Sequence, residues 1–352
     1  MSGNERLRSL DGIRAVSVAL VILAHAAKAL GVTLRFDTGK LGVQMFFVLS
    51  GFLITTLLAR EQAKTGRISL ASFYWRRTMR IFPPFYVFLL VVLGLSLAGV
   101  LTVPWSDMIY AATYTMNYAR DRVWTLGHTW SLAVEEQFYL VWPAILVLLG
   151  IRRGLSFAVA VMVIVPVLRV LSFRLFPATH DGIGETFPTA ADALAAGCAL
   201  ALGRDRLWQW APYRRLIASR FFFLVPVLGV ILHAQSHHAQ FAFLVGYGAV
   251  AVVVALCIDH VLRFPEGAAS RFLTLRPMTL VGVTSYSIYI WQQPFFDVNA
   301  KAWWTATPIG MVLLVICVIA SYQLVEKPSM RLRLYIESRR RREPPPEPRL
   351  AA

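Results

Sequence analysis

The first long apolar run of the sequence carries three ionisable residues, Asp11, Arg14 and His25. Arg14 and His25 are separated by about three whole helical turns, and Asp11 and His25 by about four, so all three share one stripe of a helix. An ionised side chain costs roughly 2.5–3.5 kcal/mol at the centre of a bilayer, which predicts that this stripe faces the interior of a helix bundle. A histidine in that position could act as a general base toward a hydroxyl group.

A helix rises about 1.5 Å per residue, which separates Arg14 from His25 by about 16 Å. We therefore expect Arg14 near the cytoplasmic surface and His25 in the outer half of the bilayer. In a continuous helix Asp11 cannot orient His25 directly. A structural interpretation stays open, in which Asp11 caps the helix, Arg14 extends to the interface and His25 is a structural histidine.

Two arginines at the start of another apolar run, Arg77 and Arg80, are spaced i, i+3 and project from one helical face. Paired guanidinium groups suit bidentate contacts, which predicts a clamp for phosphate. The alternative is a positively charged anchor at the cytoplasmic interface, flanked by aromatic residues.

Two adjacent carboxylates, Glu135 and Glu136, open a further apolar run. Neighbours in a helix differ by about 100° in direction, so we expect that the two do not face one site. Glu135 shares a face with Tyr139 and is predicted to lie at the depth of His25, where it could hold the histidine or bind an acceptor hydroxyl. Pro143 is expected to kink this helix. The alternative is a charge cluster that complements the helix N-terminus.

No metal site is predicted from the sequence. The cysteines stand singly in apolar runs and are interpreted as small core residues, whereas three clustered histidines are interpreted as part of a solvated external turn. These residues are Cys198, Cys257, Cys317, His233, His237 and His238.

The elements that must position these side chains are membrane helices. Of the 352 residues, 57% are hydrophobic and 15% are charged, which excludes a disordered chain, a coiled coil and most water-soluble enzymes. The apolar runs predict an all-α, polytopic membrane protein with about ten transmembrane helices in one bundle. The predicted spans are 11–30, 41–60, 80–101, 131–149, 155–176, 188–203, 221–235, 240–258, 278–297 and 307–325.

The segment between Leu101 and Trp130 is too polar to span and is predicted to form an interfacial or re-entrant loop. Alternate loops on one side then carry 26 of the 35 lysines and arginines, which predicts that this side, with both termini, is cytoplasmic. We attribute the net charge of +16 to this orientation and not to nucleic acid. The chain divides into a transmembrane domain, residues 1–335, and a basic, proline-rich cytoplasmic tail, residues 336–352.

Five motifs, in order along nearly the whole chain, resemble the acyltransferase 3 family of integral-membrane acyltransferases. They are Ser9–Arg14 with His25; Phe46–Phe52; Arg77 and Arg80 with Pro83; Trp130–Leu132 with Glu135, Phe138 and Tyr139; and Ser285–Tyr289. The resemblance implies a ten-helix bundle that moves an acyl group, usually acetyl, from coenzyme A to a hydroxyl of a cell-surface carbohydrate or another acceptor.

The resemblance also implies roles for residues. His25 would be the catalytic histidine with Arg14 as its partner, and Arg77 and Arg80 would serve the coenzyme. Together with the spacing arguments, the expected site comprises His25, Arg14, Glu135 and Asp11 in catalysis, Arg77, Arg80 and Arg14 for acyl-CoA, and Trp130, Tyr139, Ser50 and Tyr289 for the substrate. The expected partners are acyl-CoA, a hydroxyl acceptor and the lipid of the inner (plasma) membrane.

The sequence departs from the family pattern at two positions. The family often has arginine where Ala190 stands, which leaves Asp192 without an expected partner, and many members have histidine at Gln292. No SGNH-type hydrolase domain follows the bundle, so we expect the whole transfer to occur in the membrane or with a partner protein.

Two rival interpretations stay open. A multi-span transporter would use buried Asp, Arg, His and Glu residues as a proton or substrate path, and uptake without acyl transfer would favour it. A structural membrane subunit is the third interpretation, and the buried charges argue against it.

Overall fold

The computed structural model describes residues 3–176, 180, 182–235, 239–297, 303–305 and 307–342, with only the backbone described for residues 3–7 and 340–342. All regular structure in these ranges is helical, which confirms the all-α class. The α-helices are α1 Gly3–Ala29, α2 Thr38–Thr65, α3 Leu70–Leu97, α4 Trp105–Ala112, α5 Trp124–Gly127, α6 Thr129–Leu175, α7 Phe187–Gln209, α8 Ala211–Ile217, α9 Leu224–Ala234, α10 Ala239–Phe241, α11 Tyr247–Arg263, α12 Ala268–Leu273, α13 Arg276–Phe295, α14 Pro308–Ala320 and α15 Lys327–Arg342. π-helical turns at Ala242–Gly246 and Ser321–Glu326 connect α10 to α11 and α14 to α15.

Six helical stretches in the described ranges are long and apolar enough to cross a membrane, so the chain is a multi-pass membrane protein. They are Arg8–Ala29, Thr38–Thr65, Leu70–Leu97, Trp124–Leu175, Ala239–Arg263 and Pro308–Arg339. Helices α7 and α13 have 23 and 20 residues but are more polar, and α9 has only 11 residues.

The longest stretch is a helix with a sharp turn in its middle. Gly150 has a φ of 73° and a ψ of 167°, a backbone conformation that L side chains rarely adopt, and it divides α6 into two arms. The two arms correspond to the predicted spans 131–149 and 155–176. Pro143 and Pro166 lie within the arms.

The polar segment before α6 does not span, as predicted, and it is folded into the bundle. Its longest helix, α4, has eight residues, and the Asp107 carboxylate accepts a hydrogen bond of 2.7 Å from the Val123 backbone nitrogen, which closes the loop. Met116 and Leu126 are fully buried, and His128 and Thr129 are only 3% and 2% exposed. Helix α6 therefore begins inside the protein.

Glycines let the central helices approach closely. A Cβ atom added at Gly282 of α13 would lie 1.9 Å from the Asp11 carbonyl oxygen of α1, and one added at Gly51 of α2 would lie 2.0 Å from the Leu194 carbonyl oxygen of α7. Small residues at such crossings are the usual means of packing helices within membranes. They bring α1, α2, α7 and α13 together, and these helices carry much of the candidate site.

Candidate active site

A large cavity opens at the end of the bundle where α1 begins and where α2 and α7 end. Its volume is about 1000 Å³, at the upper end of the range for small-molecule sites. Eight arginines from six helices line this arginine cavity: Arg14, Arg60, Arg76, Arg77, Arg80, Arg204, Arg263 and Arg333. So many guanidinium groups around one cleft attract a polyanion.

The arginines differ in how they are held. Asp259 is fully buried and accepts hydrogen bonds from Arg204 Nε at 2.9 Å and from Arg263 Nε at 2.8 Å. Arg77 and Arg80 form no ion pair within the described ranges, and the Arg77 guanidinium lies 4.3 Å from the centre of the Tyr139 ring. The predicted phosphate clamp therefore faces the cavity with its guanidinium groups available to a ligand.

Helix α1 runs without interruption past Arg14 and His25, which are about 16 Å apart along its axis. Asp11 Oδ1 pairs with Arg14 Nη1 at 3.2 Å. The contact of Asp11 is thus with the arginine and not with the histidine, as the spacing predicted.

The partner of His25 is a residue to which the sequence assigned no role. His25 Nδ1 lies 2.6 Å from the Oε1 atom of Gln292 on α13, and Gln292 is fully buried. Because Oε1 is an acceptor, the ring donates from Nδ1 and keeps the lone pair on Nε2. The edge of Trp124 packs against the ring, with centroids 5.1 Å apart. The histidine is therefore oriented with its basic nitrogen opposite the amide.

A second cavity, the central cavity, shares Arg14, Arg77 and Arg80 with the arginine cavity and continues into the bundle. Within it Glu135 is held by two hydroxyl groups. Ser50 Oγ donates to Glu135 Oε1 at 2.7 Å, and the Tyr139 hydroxyl donates to Glu135 Oε2 at 3.2 Å.

Two expectations about the carboxylates were wrong. Of the two roles expected of Glu135, it does not hold His25, because its contacts are Ser50 and Tyr139 and it lines the central cavity with Arg14 and Arg77. Binding of an acceptor hydroxyl by Glu135 stays a prediction. Glu136 was expected to face away from the site of Glu135, but both line the central cavity, which is broad enough to border two faces of α6.

Another histidine near the site, His128, was not recognised in the sequence. It is 3% exposed, with Nδ1 2.7 Å from Gln293 Oε1 and Nε2 3.0 Å from the Ile290 carbonyl oxygen. Its own carbonyl oxygen accepts a hydrogen bond of 3.1 Å from the Tyr289 hydroxyl. His128 thus joins α13 to the start of α6, and it places the predicted substrate residue Tyr289 at the wall of the central cavity.

A third cavity, the Arg169 pocket, lies at the opposite end of the bundle from the arginine cavity. It contains Asp192, which was expected to lack a partner; this was wrong, because Arg169 from the second arm of α6 pairs with it. Sequence reasoning missed Arg169 because it is the neighbouring helix, and not α7, that supplies the guanidinium. The predicted substrate residue Trp130 lines this pocket and not the central cavity.

The three cavities follow one another along the bundle. The Arg169 pocket and the central cavity share two wall residues of α2, Val43 and Phe47. His25 lies beside this series and is not among the residues that line the three cavities. The arrangement offers an anion site at one end, a polar pocket at the other, and buried acid–base groups between.

No group of His, Cys, Asp and Glu side chains in the described ranges could hold a metal ion. His233 was expected in a solvated turn, and this was wrong: it lies in α9 and is only 3% exposed, because its Nε2 atom lies 2.7 Å from the Asp37 carbonyl oxygen and its ring packs against Phe36. His237 and His238 lie outside the described residues.

A helical membrane bundle with an arginine-lined cavity and a half-buried histidine has the features expected of a membrane-embedded group-transfer enzyme. Residues 7–324 match the model of the acyltransferase domain family known as acyltransferase 3. The chain therefore belongs to that family, which confirms the resemblance seen in its motifs.

The names of similar proteins state an activity. The O-acetyltransferase OatA of Staphylococcus aureus is 27% identical over 355 residues, covering 92% of this chain and 57% of that protein. The peptidoglycan O-acetyltransferase OatA of Listeria monocytogenes is 30% identical over 329 residues, covering 83% of this chain and 49% of that protein. The chain thus spans about half the length of the curated relatives it matches. No solved structure matches it.

Proposed function

We propose that the protein transfers an acetyl group from acetyl-CoA to a hydroxyl of a cell-wall glycan, across the inner (plasma) membrane. The acyltransferase family supports group transfer, and the names of the relatives support acetyl as the group and peptidoglycan as the class of acceptor. The observation that carries the identity of the donor is the arginine cavity.

Coenzyme A carries its phosphates at one end and its thioester at the other, so its site needs a basic entrance and a narrow inner channel. The arginine cavity offers the basic entrance, since Arg77 and Arg80 form no ion pairs in the described ranges. Arg14 lies where this cavity meets the central cavity. Bidentate arginine contacts are among the strong hydrogen bonds that a protein makes with phosphate. The central cavity, walled by Ser50, Tyr139 and Tyr289, would receive the pantetheine arm.

In the proposed reaction, His25 Nε2 removes the proton of the acceptor hydroxyl as the oxygen attacks the thioester carbonyl. The carbon–sulfur bond then breaks, and the coenzyme thiolate leaves and takes up the proton. Gln292 keeps the ring in the required tautomer, since its Oε1 atom accepts at Nδ1. An extended pantetheine arm would cover the distance of about 16 Å between Arg14 and His25.

The remaining predicted residues have supporting roles in this proposal. Asp11 fixes the Arg14 guanidinium through its ion pair. Glu135 orients Tyr139, over whose ring Arg77 lies, so it links the donor clamp to the channel wall. Trp130 would contact the acceptor.

The proposed topology has ten spans with both termini in the cytoplasm. The six long apolar stretches support it when α6 is counted as two spans and α7, α9 and α13 are added. The arginine cavity then faces the cytoplasm, where acetyl-CoA occurs, and the Arg169 pocket faces the outside. The proposed division is a catalytic domain, residues 1–335, and a basic segment, residues 336–352, whose arginines would meet lipid headgroups. The boundary lies within α15, which extends to Arg342.

The test is acetyl transfer by purified protein in lipid nanodiscs, with acetyl-CoA labelled in the acetyl group and glycan fragments as acceptor. We expect ester-linked label on the glycan and an equal amount of free coenzyme A, both dependent on the protein. Label that reaches the glycan from another acetyl donor but not from acetyl-CoA would overturn the proposed donor.

A further inference from the structure

The Arg169 pocket contains a buried ion pair whose free atoms point to a ligand. It is formed between the starts of α2, α7 and α11 and the end of α6. Arg169 and Asp192 are each only 2% exposed. Two buried charges are costly unless their hydrogen-bonding capacity is used, and here part of it is not.

The Arg169 guanidinium is held on three sides. Its Nε atom donates to the Thr189 carbonyl oxygen at 2.6 Å, its Nη2 atom donates to Asp192 Oδ1, and its plane lies 5.1 Å from the centre of the Tyr247 ring. The remaining nitrogen, Nη1, is buried and has no hydrogen-bond partner among the described residues. The guanidinium is therefore fixed with one donor group left over.

Two acceptor atoms in the same pocket also lack partners. Asp192 Oδ1 accepts from Arg169 and from the Ala193 backbone nitrogen, whereas Asp192 Oδ2 is buried and unpaired within the described ranges. Gln44 donates through Nε2 to the Tyr247 carbonyl oxygen, and its Oε1 atom is likewise unpaired in the part of the chain described. Leaving such an atom unpaired costs about 1–3 kcal/mol. Binding of a ligand that pairs with all three atoms is therefore favourable.

The unpaired atoms define the chemistry of that ligand. Arg169, Asp192 and Gln44 all line the pocket, and their unpaired atoms are one donor and two acceptors, so the pocket suits a group that accepts one hydrogen bond and donates another. The charges of Arg169 and Asp192 cancel, which favours a neutral group over an anion. An amide meets both conditions, and Phe47 and Trp130 supply apolar surface for a methyl group and a sugar ring.

We propose that the Arg169 pocket binds the acetamido group of an N-acetylated amino sugar in the acceptor glycan, an inference that rests on the proposed function for the identity of the acceptor. The amide carbonyl accepts from Arg169 Nη1, and the amide N–H is shared between the two acceptors Asp192 Oδ2 and Gln44 Oε1. Lys40, whose side chain is 42% exposed, lies at the rim with its amine 3.9 Å from Glu185, so the pocket opens toward the surface.

The experiment measures equilibrium binding of two uncharged tetrasaccharides to the full chain in nanodiscs, without acetyl-CoA. The probes are the β-1,4-linked tetramer of N-acetylglucosamine and the corresponding tetramer of glucose, which lacks the acetamido groups. We expect the wild type to bind the first at least roughly tenfold more tightly, because it alone pairs the buried atoms. Equal affinity for the two would overturn the proposal.

Two variants test whether the Arg169 pocket is responsible for the preference for the N-acetylated tetramer. Arg169→Met combined with Asp192→Leu replaces the ion pair by apolar side chains of similar size, a change that proteins often tolerate. It should abolish the preference without changing the affinity for acetyl-CoA. Gln44→Leu leaves the ion pair intact and should reduce the preference for the N-acetylated tetramer severalfold. This variant provides the test if the double variant does not fold. A preference that survives in both variants would overturn the assignment.

The two proposals can fail separately. Selective binding of the N-acetylated tetramer with no acetyl transfer from acetyl-CoA would overturn the proposed function and leave the subsite standing. Acetyl transfer from acetyl-CoA with equal affinity for both tetramers would overturn the subsite and leave the proposed function standing.

Discussion

The contact between His25 and Gln292 makes a sharp prediction for the variant Gln292→Met. The substitution removes the oxygen that lies 2.6 Å from His25 Nδ1 and with it the bond that selects the tautomer. That loss is worth about 1.5–3 kcal/mol of transition-state stabilisation, so we expect kcat to fall roughly 10- to 150-fold. The fold should tolerate it, because the Gln292 amide nitrogen is buried without a partner in the described ranges and methionine removes that unpaired group.

The assay is acetyl transfer in nanodiscs at saturating acetyl-CoA, with the melting temperature measured in parallel. The adjacent residue provides the control, since Gln293 Oε1 accepts from the His128 backbone nitrogen at 2.9 Å and lies 2.7 Å from its Nδ1. Gln293→Met should therefore lower the melting temperature by several degrees and leave kcat of the folded enzyme near normal. Full kcat in Gln292→Met beside an inactive but folded Gln293→Met would refute the reasoning and make His128 the base.

The other predictions concern the base, the clamp and the carboxylates. His25→Ala should lower kcat by roughly 10²–10⁴-fold while acetyl-CoA still binds, as measured by equilibrium binding; unchanged kcat would remove its role. Arg77→Gln or Arg80→Gln should raise the KM for acetyl-CoA more than that for the glycan, and the difference should shrink at high salt; a change in the glycan KM alone would place the clamp elsewhere. Glu135→Gln should be inactive because the amide keeps only one of the two oxygens that accept from Ser50 and Tyr139, whereas Glu136→Gln should keep substantial activity in the same transfer assay. The reverse result would exchange the roles of the two residues.

Helical periodicity accounts for the relative positions of residues that were predicted correctly. Residues spaced i, i+3 along one helix share a face in any fold, so Arg77 and Arg80 could be placed together from their spacing. The same reasoning separated Arg14 from His25 by their rise along a single helix. The non-spanning segment before α6 was predictable because its polar residues exclude it from lipid.

Periodicity identifies the face of a helix but not the residue opposite it. Gln292 follows His25 by 267 positions, and no local pattern connects them. Arg169 reaches Asp192 from another helix, in a position that the family pattern did not suggest. The depth of Glu135 was misjudged because spans were assumed to begin at the surface, whereas the buried loop before α6 shifts its start inward. Each miss depends on packing between distant segments.

The two shared wall residues, Val43 and Phe47, have an electrical consequence on the proposed topology. Where water-filled clefts enter from both sides, the membrane potential falls mainly across the thin barrier between them. Moving one elementary charge through that barrier costs about 2.3 kcal/mol per 100 mV when the movement is against the field. The phosphates of coenzyme A would stay on the side of the arginine cavity and would not enter this barrier. The thioester arm is neutral and crosses the barrier at no electrical cost. Acetyl transfer should therefore proceed at the same rate in energised and de-energised vesicles.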